Sequence, residues 1–459
     1  MNTIQKTILL FCMILLSFPI YSQRKWTLRN CIDYAIDNNI EIKQQALRVE
    51  ISEVNLNTSK NSRLPDLNAE VSQAFSYGQP ASGTGVSQRL DLTNVSFSIQ
   101  SSIPVFTGFK INNEIKRDRF DLKASMENLK KAKENMELHI TSLYLKCLLD
   151  KEMVKIYKEI ANLTQKQVTR TEILVQSGTV PESQLYDIKS QQANDELNLV
   201  SMENESTLSL LYLAQALNFP NAENFDIAEP STDDDIMEEN MKSLTLSPDR
   251  IYEVALGIKP HVKEAKYLVD KSEAEIEIAK SYYWPTLNFG ISLSSFYNYI
   301  HDNQTISDGV TTIPIENNSF STQFKDHRSE IIGLNLIVPI FNRNKTRNQV
   351  RTAKINRTDK LLVLDNIKLA LYKEIQEAYT SALSSKSKYT ASQKALRAAQ
   401  ESYDYAEWRY EVGNITVFEY NEIQTKLFTS KSEQVRAKYD FLFRTKILDF
   451  YQGVKISFK

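Results

Sequence analysis

The residue types that most often perform catalysis or bind metal are scattered along this sequence. Its four histidines are His139, His261, His301 and His327, and no two of them form a His-x-x-x-His pair. The sequence also lacks a Gly-x-Ser-x-Gly motif, which would present a nucleophile on a strained turn. We therefore predict no catalytic residue, no cofactor, no metal site and no enzymatic activity.

Two carboxylates in the second half of the sequence share one face of a predicted helix. Glu419 and Glu422 lie three residues apart after Gly413, so their side chains project about one helical turn apart. The corresponding positions in the first half are Gln184 and Asp187, of which only Asp187 is acidic. Rings of such charges can control the flow of cations through a narrow passage, because rotational symmetry multiplies them. Two glutamates on the surface of an ordinary helix would have the same spacing, so both interpretations stay open.

Few residues interrupt the helices that must position these side chains. Among 459 residues there are 11 glycines and 12 prolines, and the segments 109–177, 182–219, 340–412 and 414–452 contain neither. A typical globular helix has about 12 residues, so these segments indicate coiled-coil or other long helices. The 22 tyrosines and 20 phenylalanines are numerous for a plain coiled coil. The 55 Lys and Arg nearly balance the 57 Asp and Glu, so we expect no nucleic-acid partner.

The first 22 residues are typical of a secretory signal peptide. Lys6 precedes an apolar run over 7–20, which is too short to span a bilayer, and the small residue Ser22 ends it. No other stretch reaches 18 apolar residues, so we predict no transmembrane helix in the mature chain. Removal of the signal leaves Cys31 and Cys147 on different predicted helices, and we expect two free buried thiols.

The sequence contains the same pattern twice. The two halves align at an offset of 220 residues around the first shared proline and at an offset of 235 beyond the second one. A duplication of this kind determines the architecture, because each copy forms the same set of elements. The aligned landmarks are 63–65 with 283–285, 103–106 with 338–341, and Gly178 with Gly413.

These landmarks predict a fold that is mostly α with a small β part, in which a helix–β-hairpin–long helical hairpin unit is duplicated. The first repeat covers 23–220, with a β-hairpin at 66–103 and a long helical hairpin at 109–219. An acidic connector at 221–247 leads to the second repeat, which covers 248–453. That repeat has a β-hairpin at 286–338 and a long helical hairpin at 343–452, and a tail at 454–459 follows.

The two predicted hairpins give four strands of about 9 to 11 residues, the length that crosses a bilayer when tilted. Apolar and polar residues alternate along them, as the wall of an outer-membrane barrel requires. Tyr282, Tyr283 and Trp284 stand where one strand begins, at the expected level of an interfacial aromatic belt. Four strands cannot close, since the smallest membrane barrels have about 8, so several chains would have to pool their strands. A soluble sheet packed on helices is the alternative.

Four short motifs and their order resemble one known family. They are Pro104-Val105-Phe106, Pro339-Ile340-Phe341, Val175-Gln176-Ser177-Gly178 and Tyr410-Glu411-Val412-Gly413. Together with the signal peptide and the duplication, from about Trp26 to Gly453, they resemble the outer-membrane efflux (TolC-like) channel proteins. The resemblance implies a homotrimer whose twelve strands form one β-barrel in the outer membrane, continued by an α-helical barrel in the periplasm. It also implies an exit channel for tripartite efflux or type I secretion, in contact with outer-membrane lipid, a periplasmic adaptor and an inner-membrane pump.

The same resemblance assigns roles to the residues near the two glycine turns. Glu419 and Glu422 match the acidic residues that line the closed periplasmic entrance in the family, although the family type has Asp at both positions. Tyr410 resembles the gate tyrosine that links neighbouring coils, and a coiled-coil core aromatic is the alternative. Asp187 is the one acidic counterpart in the first repeat.

The turns themselves are expected to dock the adaptor. Glycine and proline alone explain them as tight reversals. By resemblance, the turns additionally offer exposed apolar side chains to the helical hairpins of an adaptor, with Val417 just beyond. The predicted docking residues are Gly178, Thr179, Val180, Pro181, Gly413, Asn414 and Ile415.

A different class of function also fits the composition. A secreted or periplasmic coiled-coil scaffold with small β tips would need the same long helices. The alternating strands and Trp284 favour the channel interpretation, because a scaffold does not need a sheet with one apolar face.

Overall fold

A computed structural model describes residues 25–78, 91–220, 225–229, 244, 246–301, 305–307, 312–314 and 317–456. The predicted signal peptide and most of the acidic connector lie outside these residues. The chain forms two compact units. The first unit comprises the described residues of 1–47, 126–263 and 365–459, and the second comprises those of 48–125 and 264–364.

Nine α-helices account for most of the described residues, and eight of them form four pairs of equal or nearly equal length, one helix of each pair in each half. The helices α1 and α5 have 11 residues each, α2 and α6 have 22, and α3 and α8 have 67. Within the described residues, no helix has a stretch long and apolar enough to cross a membrane. The bounds are α1 Leu28–Asn38, α2 Ile40–Asn61, α3 Lys110–Gln176, α4 Glu182–Ala216, α5 Pro248–Ile258, α6 Pro260–Ser281, α7 Phe320–Asp326, α8 Lys345–Glu411 and α9 Val417–Gln452.

A single extended residue separates the two short helices at the start of each half. Asn39 separates α1 from α2, and its side chain accepts a hydrogen bond from the backbone N–H of Glu41 at 2.8 Å. Lys259 separates α5 from α6 at the equivalent position, 220 residues later. Its side chain is only 2 % exposed, and its Nζ lies 3.1 Å from a carboxylate oxygen of Glu134 and over the ring of Phe450. A buried charge is tolerated here because an anion and an aromatic face both contact it.

The four long strands form one antiparallel sheet in the second unit, in the order β1-β2-β3-β6. The hairpins of the two halves are therefore joined by pairing between β2 and β3. Both of these strands have 15 residues, which exceeds the predicted 9 to 11, because each continues beyond its hairpin partner. The bounds are β1 Asn68–Ser76, β2 Leu92–Phe106, β3 Thr286–Ile300, β4 Thr305–Ser307, β5 Thr312–Pro314 and β6 Ser329–Ile337.

The strand register gives this sheet one apolar and one polar face. Val71 lies opposite Phe97 and Ile291 lies opposite Ile332, so apolar side chains align across neighbouring strands. On the other face the serines align, as in the pair Ser98 and Ser294. The alternation read from the sequence therefore describes real faces, since side chains two residues apart in a strand share a side.

The loop that we predicted between β3 and β6 contains the short helix α7, which packs on the apolar face. Phe320 and Phe324 meet the ring of Phe97 edge to face, with centroids 5.9 and 5.5 Å apart. The hydroxyl of Ser295 also donates a hydrogen bond to the carbonyl oxygen of Phe324 at 2.8 Å. The sequence did not predict α7, because a helix of 7 residues is too short to show a helical pattern within a polar loop.

The first unit has an apolar core that includes part of the predicted connector. Phe225 and Ile227 are buried, and Trp26 donates its backbone N–H to the carbonyl of Asp226 at 2.9 Å. Ile456, in the predicted tail, is buried as well. The two thiols lie in the same core, where burial raises their pKa, to about 12 for Cys31 and about 11 for Cys147. The core members that are less than 1 % exposed are Cys31, Ile32, Ala35, Ile140, Cys147, Leu213, Ala214, Leu217, Ile227 and Phe441.

The junction between β2 and α3 requires a glycine. Gly108 has a φ of +61°, and a Cβ at this position would lie 2.6 Å from the carbonyl oxygen of Ser281 and 2.7 Å from the Cβ of Trp284. The next residue, Phe109, also has a positive φ and meets Trp284 edge to face. The backbone therefore passes close to Trp284 where β2 leads into α3, and a residue with a Cβ does not fit at position 108.

We predict that Gly108→Ala destabilises the protein by more than about 1 kcal/mol, because a side chain at positive φ is strained and the new Cβ would overlap its neighbours. Gly257→Ala is the matched control. Gly257 lies in α5, a Cβ added to it would have open space within 4 Å, and alanine favours a helix. Thermal unfolding followed by circular dichroism should show a lower midpoint for Gly108→Ala only. Equal midpoints for both variants would contradict the strain argument.

We also predict that acidification destabilises the first unit through His261. Burial, and then the positive charges of Lys131 and Lys259, hold the pKa of His261 below its ordinary value of 6.5. The unfolded chain therefore binds this proton more readily, and stability falls as the pH drops from about 6.5 through the lowered pKa. His261→Gln should reduce the loss of melting temperature between pH 7.5 and pH 5, whereas substitution of the exposed His139 should not. An unchanged pH dependence in His261→Gln would refute this assignment.

Candidate functional site

The two turns that join the long helices have the same backbone geometry. Gly178 and Gly413 have φ values of +74° and +75° at the ends of α3 and α8. In each turn the N–H after the glycine bonds to the carbonyl five residues earlier, Leu174 in the first turn and Arg409 in the second. This pattern is a Schellman motif, and glycine is favoured in it because the left-handed region carries no Cβ penalty.

The helices that leave the two turns begin differently. At α9 the Thr416 hydroxyl accepts the backbone N–H of Glu419 at 3.2 Å, and the Glu419 carboxylate accepts the backbone N–H of Thr416 at 3.1 Å. These reciprocal bonds form a capping box. At α4 the N-cap is Pro181, which makes no side-chain cap. The Thr-x-x-Glu spacing in the sequence is a signal for this cap. The cap accounts for the position of the Glu419 carboxylate, which stabilises the start of α9.

Glu422 lines the same groove as Asp187, whereas Glu419 does not. Both carboxylates are exposed, and both line an open groove between α4 and α9 that also includes Phe418 and Lys426. Glu419 lies outside this set because its carboxylate is bound back to the start of its own helix. One acidic residue from each half therefore lines this groove.

Tyr410 is part of an aromatic stack that ties three helices together. Its ring lies parallel to that of Tyr420, with centroids 4.6 Å apart, and the guanidinium of Arg170 lies 4.9 Å from its centroid. The Tyr420 hydroxyl in turn lies 2.7 Å from the Tyr403 hydroxyl. Burial raises the pKa of both Tyr403 and Tyr420, so both stay neutral and able to share a hydrogen bond. Within one chain Tyr410 thus acts as a packing residue between α3, α8 and α9.

Behind the groove, α3, α4 and α9 pack through polar side chains. The buried Asp195 carboxylate accepts hydrogen bonds from the Thr164 hydroxyl at 2.6 Å and from Gln191 at 2.8 Å. Gln167 donates to Gln424 at 2.7 Å. A cavity of 310 Å³ lies among these residues. The stabilisation from these contacts depends on hydrogen-bond geometry rather than on buried apolar area. Each hydrogen bond stops contributing when its partner moves away.

The exposure of the predicted docking residues differs from the expectation. Val180 and Ile415 are half-buried, and Ile415 packs against a small core that includes Tyr403 and Tyr420. Phe418 is instead the most exposed apolar residue beside the second turn, at 77 %. The sequence could have indicated this exposure, because Phe418 lies off the face of α9 that contains the buried residues Tyr420 and Leu427. The predicted residues Gly178, Thr179, Pro181, Gly413 and Asn414 are exposed.

In the second unit, the predicted interfacial aromatics cluster where α6 turns into β3. Trp284 meets Phe109 edge to face with centroids 6.3 Å apart, and the ammonium of Lys110 lies 5.5 Å from the ring centroid of Tyr282. Tyr282, Tyr283 and Trp284 are all about half exposed. Aromatic rings next to a lysine are typical of the level where a membrane-facing surface meets the headgroups.

The chemistry available at these sites is electrostatic. Among the described residues no three His, Cys, Asp or Glu side chains are grouped so as to hold a metal ion. The exposed pair of Asp187 and Glu422 can attract cations, and the exposed apolar Phe418 beside it can bury against a partner.

Comparisons with known proteins identify the family of this chain. The sequence profile of the family described as "Outer membrane efflux protein" matches residues 31–218 and 251–448, one match in each half. The outer membrane protein TolC of Escherichia coli is 24 % identical over 181 residues, which are 39 % of this chain and 34 % of TolC. The outer membrane efflux protein BepC of Brucella suis is 20 % identical over 417 residues, which are 90 % of this chain and 82 % of BepC.

The fold is that of a solved outer-membrane channel. The crystal structure of the CmeC outer membrane channel of Campylobacter jejuni superposes with a TM-score of 0.73, over 93 % of this chain and 86 % of CmeC, at 16 % identity. At this identity the superposition shows the fold alone. The family is shown by the sequence profile, which covers most of both repeats. The chain belongs to the outer membrane efflux protein family.

Proposed function

We propose that this protein is a passive exit channel in the outer membrane, serving a tripartite efflux or type I secretion system. The observation that carries the proposal is the four-stranded sheet, which has one apolar face and two edge strands without a partner among the described residues. Unpaired backbone groups are not stable in hydrocarbon, so such a sheet needs more strands before it can lie in a membrane. Membership of the efflux family and the resemblance to BepC support the same function.

A homotrimer would satisfy the edges of the sheet. Each edge strand of one copy would pair with the opposite edge strand of the next, and three copies would contribute twelve strands to one closed barrel. The long helices α3, α4, α8 and α9 would continue the channel as an α-helical barrel in the periplasm. Single-channel conductance of the purified protein in planar bilayers tests this directly. Recovery of a soluble, monomeric periplasmic species with no conductance would overturn it and favour the coiled-coil scaffold.

The periplasmic entrance would be formed by the turns and the acidic pair. Glu422 and Asp187 would each be repeated three times around the axis, and Tyr410 would help to hold the surrounding coils closed. Docking of a periplasmic adaptor and an inner-membrane pump would open this entrance. Glu419 contributes to it by fixing the start of α9 through the capping box.

We predict that Asp187→Asn and Glu422→Gln weaken the block of the channel by multivalent cations, because each removes one negative charge per copy from the entrance. Current measured in planar bilayers with increasing multivalent cation should give a higher half-blocking concentration for each variant, and a still higher one for the double variant. Thr416→Ala is the control, since it breaks the capping box without removing a charge. An unchanged block in the double variant would remove both residues from the entrance.

We further predict that Phe418→Asp abolishes efflux while the isolated channel still conducts ions, because the substitution places a charge on the exposed apolar docking surface. Phe418→Leu should retain transport, since it keeps the surface apolar. Transport is measured as complementation of a strain that lacks its own channel, alongside conductance of the purified proteins. Normal complementation by Phe418→Asp would exclude this residue from docking.

A further inference from the structure

The cavity of 310 Å³ between α3, α4 and α9 has a buried floor and an exposed rim. The floor consists of Thr164, Asp195, Gln424 and Phe428, which are 2 to 6 % exposed. The rim consists of exposed polar side chains such as Asn198. Every residue that lines the cavity belongs to the first unit. Its volume lies within the range of about 300 to 1,000 Å³ that is typical of sites for small molecules.

The floor carries a negative charge without a counter-ion. The Asp195 carboxylate accepts hydrogen bonds from the Thr164 hydroxyl at 2.6 Å and from the Gln191 amide at 2.8 Å, and both donors are neutral. Of the described residues that line the cavity, Arg436 alone is cationic, and its guanidinium lies 3.8 Å from the carboxylate of Glu433. Because a buried carboxylate is poorly solvated, it attracts a cationic ligand more strongly than an exposed one does.

A second acceptor in the lining of this cavity is unsatisfied. The Oδ1 atom of Asn421 is buried, and it has no hydrogen-bond partner within the described part of the chain. A buried acceptor without a donor is unfavourable. A ligand with an N–H group would therefore gain this hydrogen bond without breaking one that the protein already makes.

One wall of the cavity is apolar. Phe428 and Ile160 line it, and both belong to a small apolar core with Met153 and Ile156. The cavity thus combines a few acceptors with an apolar wall. This combination is typical of sites that bind small organic molecules, because the apolar wall supplies affinity and the polar groups fix the orientation.

The internal repeat shows that helix packing alone does not require the buried carboxylate. At the offset of 235 residues, Ala399 and Ser430 stand at the positions of Thr164 and Asp195. Ala399 is buried in an apolar core that includes Leu427. The two halves form the same long helices, yet only the first half places a carboxylate at this point. The charge of Asp195 is therefore a feature of the cavity and not of the repeated fold.

We propose that this cavity binds a small organic ammonium compound with an apolar body. The N–H groups of the ligand would donate to the Asp195 carboxylate and to Oδ1 of Asn421, and its apolar body would lie against Phe428. An ammonium group has three donors and no acceptor, which suits a site with unsatisfied acceptors. A divalent metal ion fits less well, since it requires more oxygen ligands than one carboxylate supplies, and no metal-binding group of three acidic, His or Cys side chains exists among the described residues.

A ligand in this cavity would contact three helices at once. The hydrogen bond between Thr164 and Asp195 joins α3 to α4, and the bond between Gln167 and Gln424 joins α3 to α9. The ligand would add a further connection among the same helices. Bound ligand would therefore stabilise this arrangement of α3, α4 and α9 by mass action.

The test is binding of para-fluorophenethylamine to the purified protein in detergent, measured by broadening of the ligand's fluorine NMR signal. The wild type should bind the amine about tenfold more tightly than para-fluorophenethyl alcohol, which has the same shape without the charge. Asp195→Asn should lose this preference and bind the two compounds equally. Glu433→Gln, which removes an exposed carboxylate that lines the same cavity, is the matched control and should bind the amine as the wild type does.

Asn421→Leu keeps the proposal testable if Asp195→Asn fails to fold. It replaces an unpaired buried acceptor by an apolar side chain of similar size, so it should not lower the thermal midpoint, while it should weaken binding of the amine. Equal binding of amine and alcohol by the wild type would overturn the proposal, as would unchanged binding of the amine by Asn421→Leu. Because binding is measured without a membrane, a lack of conductance in bilayers would overturn the proposed function and leave this site standing.

Discussion

The edges of the four-stranded sheet impose the condition that the rest of the molecule has to meet. β1 pairs only with β2 and β6 only with β3 among the described strands, so one side of each edge strand offers backbone donors and acceptors to another chain. Soluble proteins usually protect such edges with charges or bulges, whereas β1 and β6 expose apolar side chains such as Val71 and Leu334 along them. The proposed assembly of identical chains would use both of these edges, one from each half of the chain.

The transition from sheet to helix carries this geometry into the helical layer. Each half turns through two consecutive residues with positive φ, and in the first half Gly108 allows the turn to approach Trp284 closely. The same element order then continues in the helices of the second unit. Between α3 and α6 the carboxylate of Asp121 meets the ammonium of Lys271 at 2.8 Å, whereas α2 and α8 expose some apolar side chains, among them Ile51 and Leu362.

The turns at the other ends of the long helices follow a different principle. Their backbones are fixed by Schellman motifs and, at α9, by a capping box, so the turns are well determined. The helices beside them pack through hydrogen bonds such as those of Asp195 and Gln424, and through the stack of Tyr410 on Tyr420. Polar packing contributes less per contact than a filled apolar core and depends on exact partners.

The sequence alone determined the elements and their repetition, because glycine and proline interrupt the chain at the same places in both halves and local patterns set helices and strands. Gly178 and Gly413 were predictable for this reason, as were the alternating faces of the strands. Only the tertiary structure decided which elements meet: the pairing of β2 with β3, the packing of α7 on the apolar face, and the groove that Asp187 and Glu422 both line. These contacts join residues far apart in the chain, and spacing carries no information about them. Glu419 could not be assigned from the sequence, because a glutamate at this position can either cap the helix or line an entrance. The direction of its side chain, toward the backbone N–H of Thr416, identifies it as the cap.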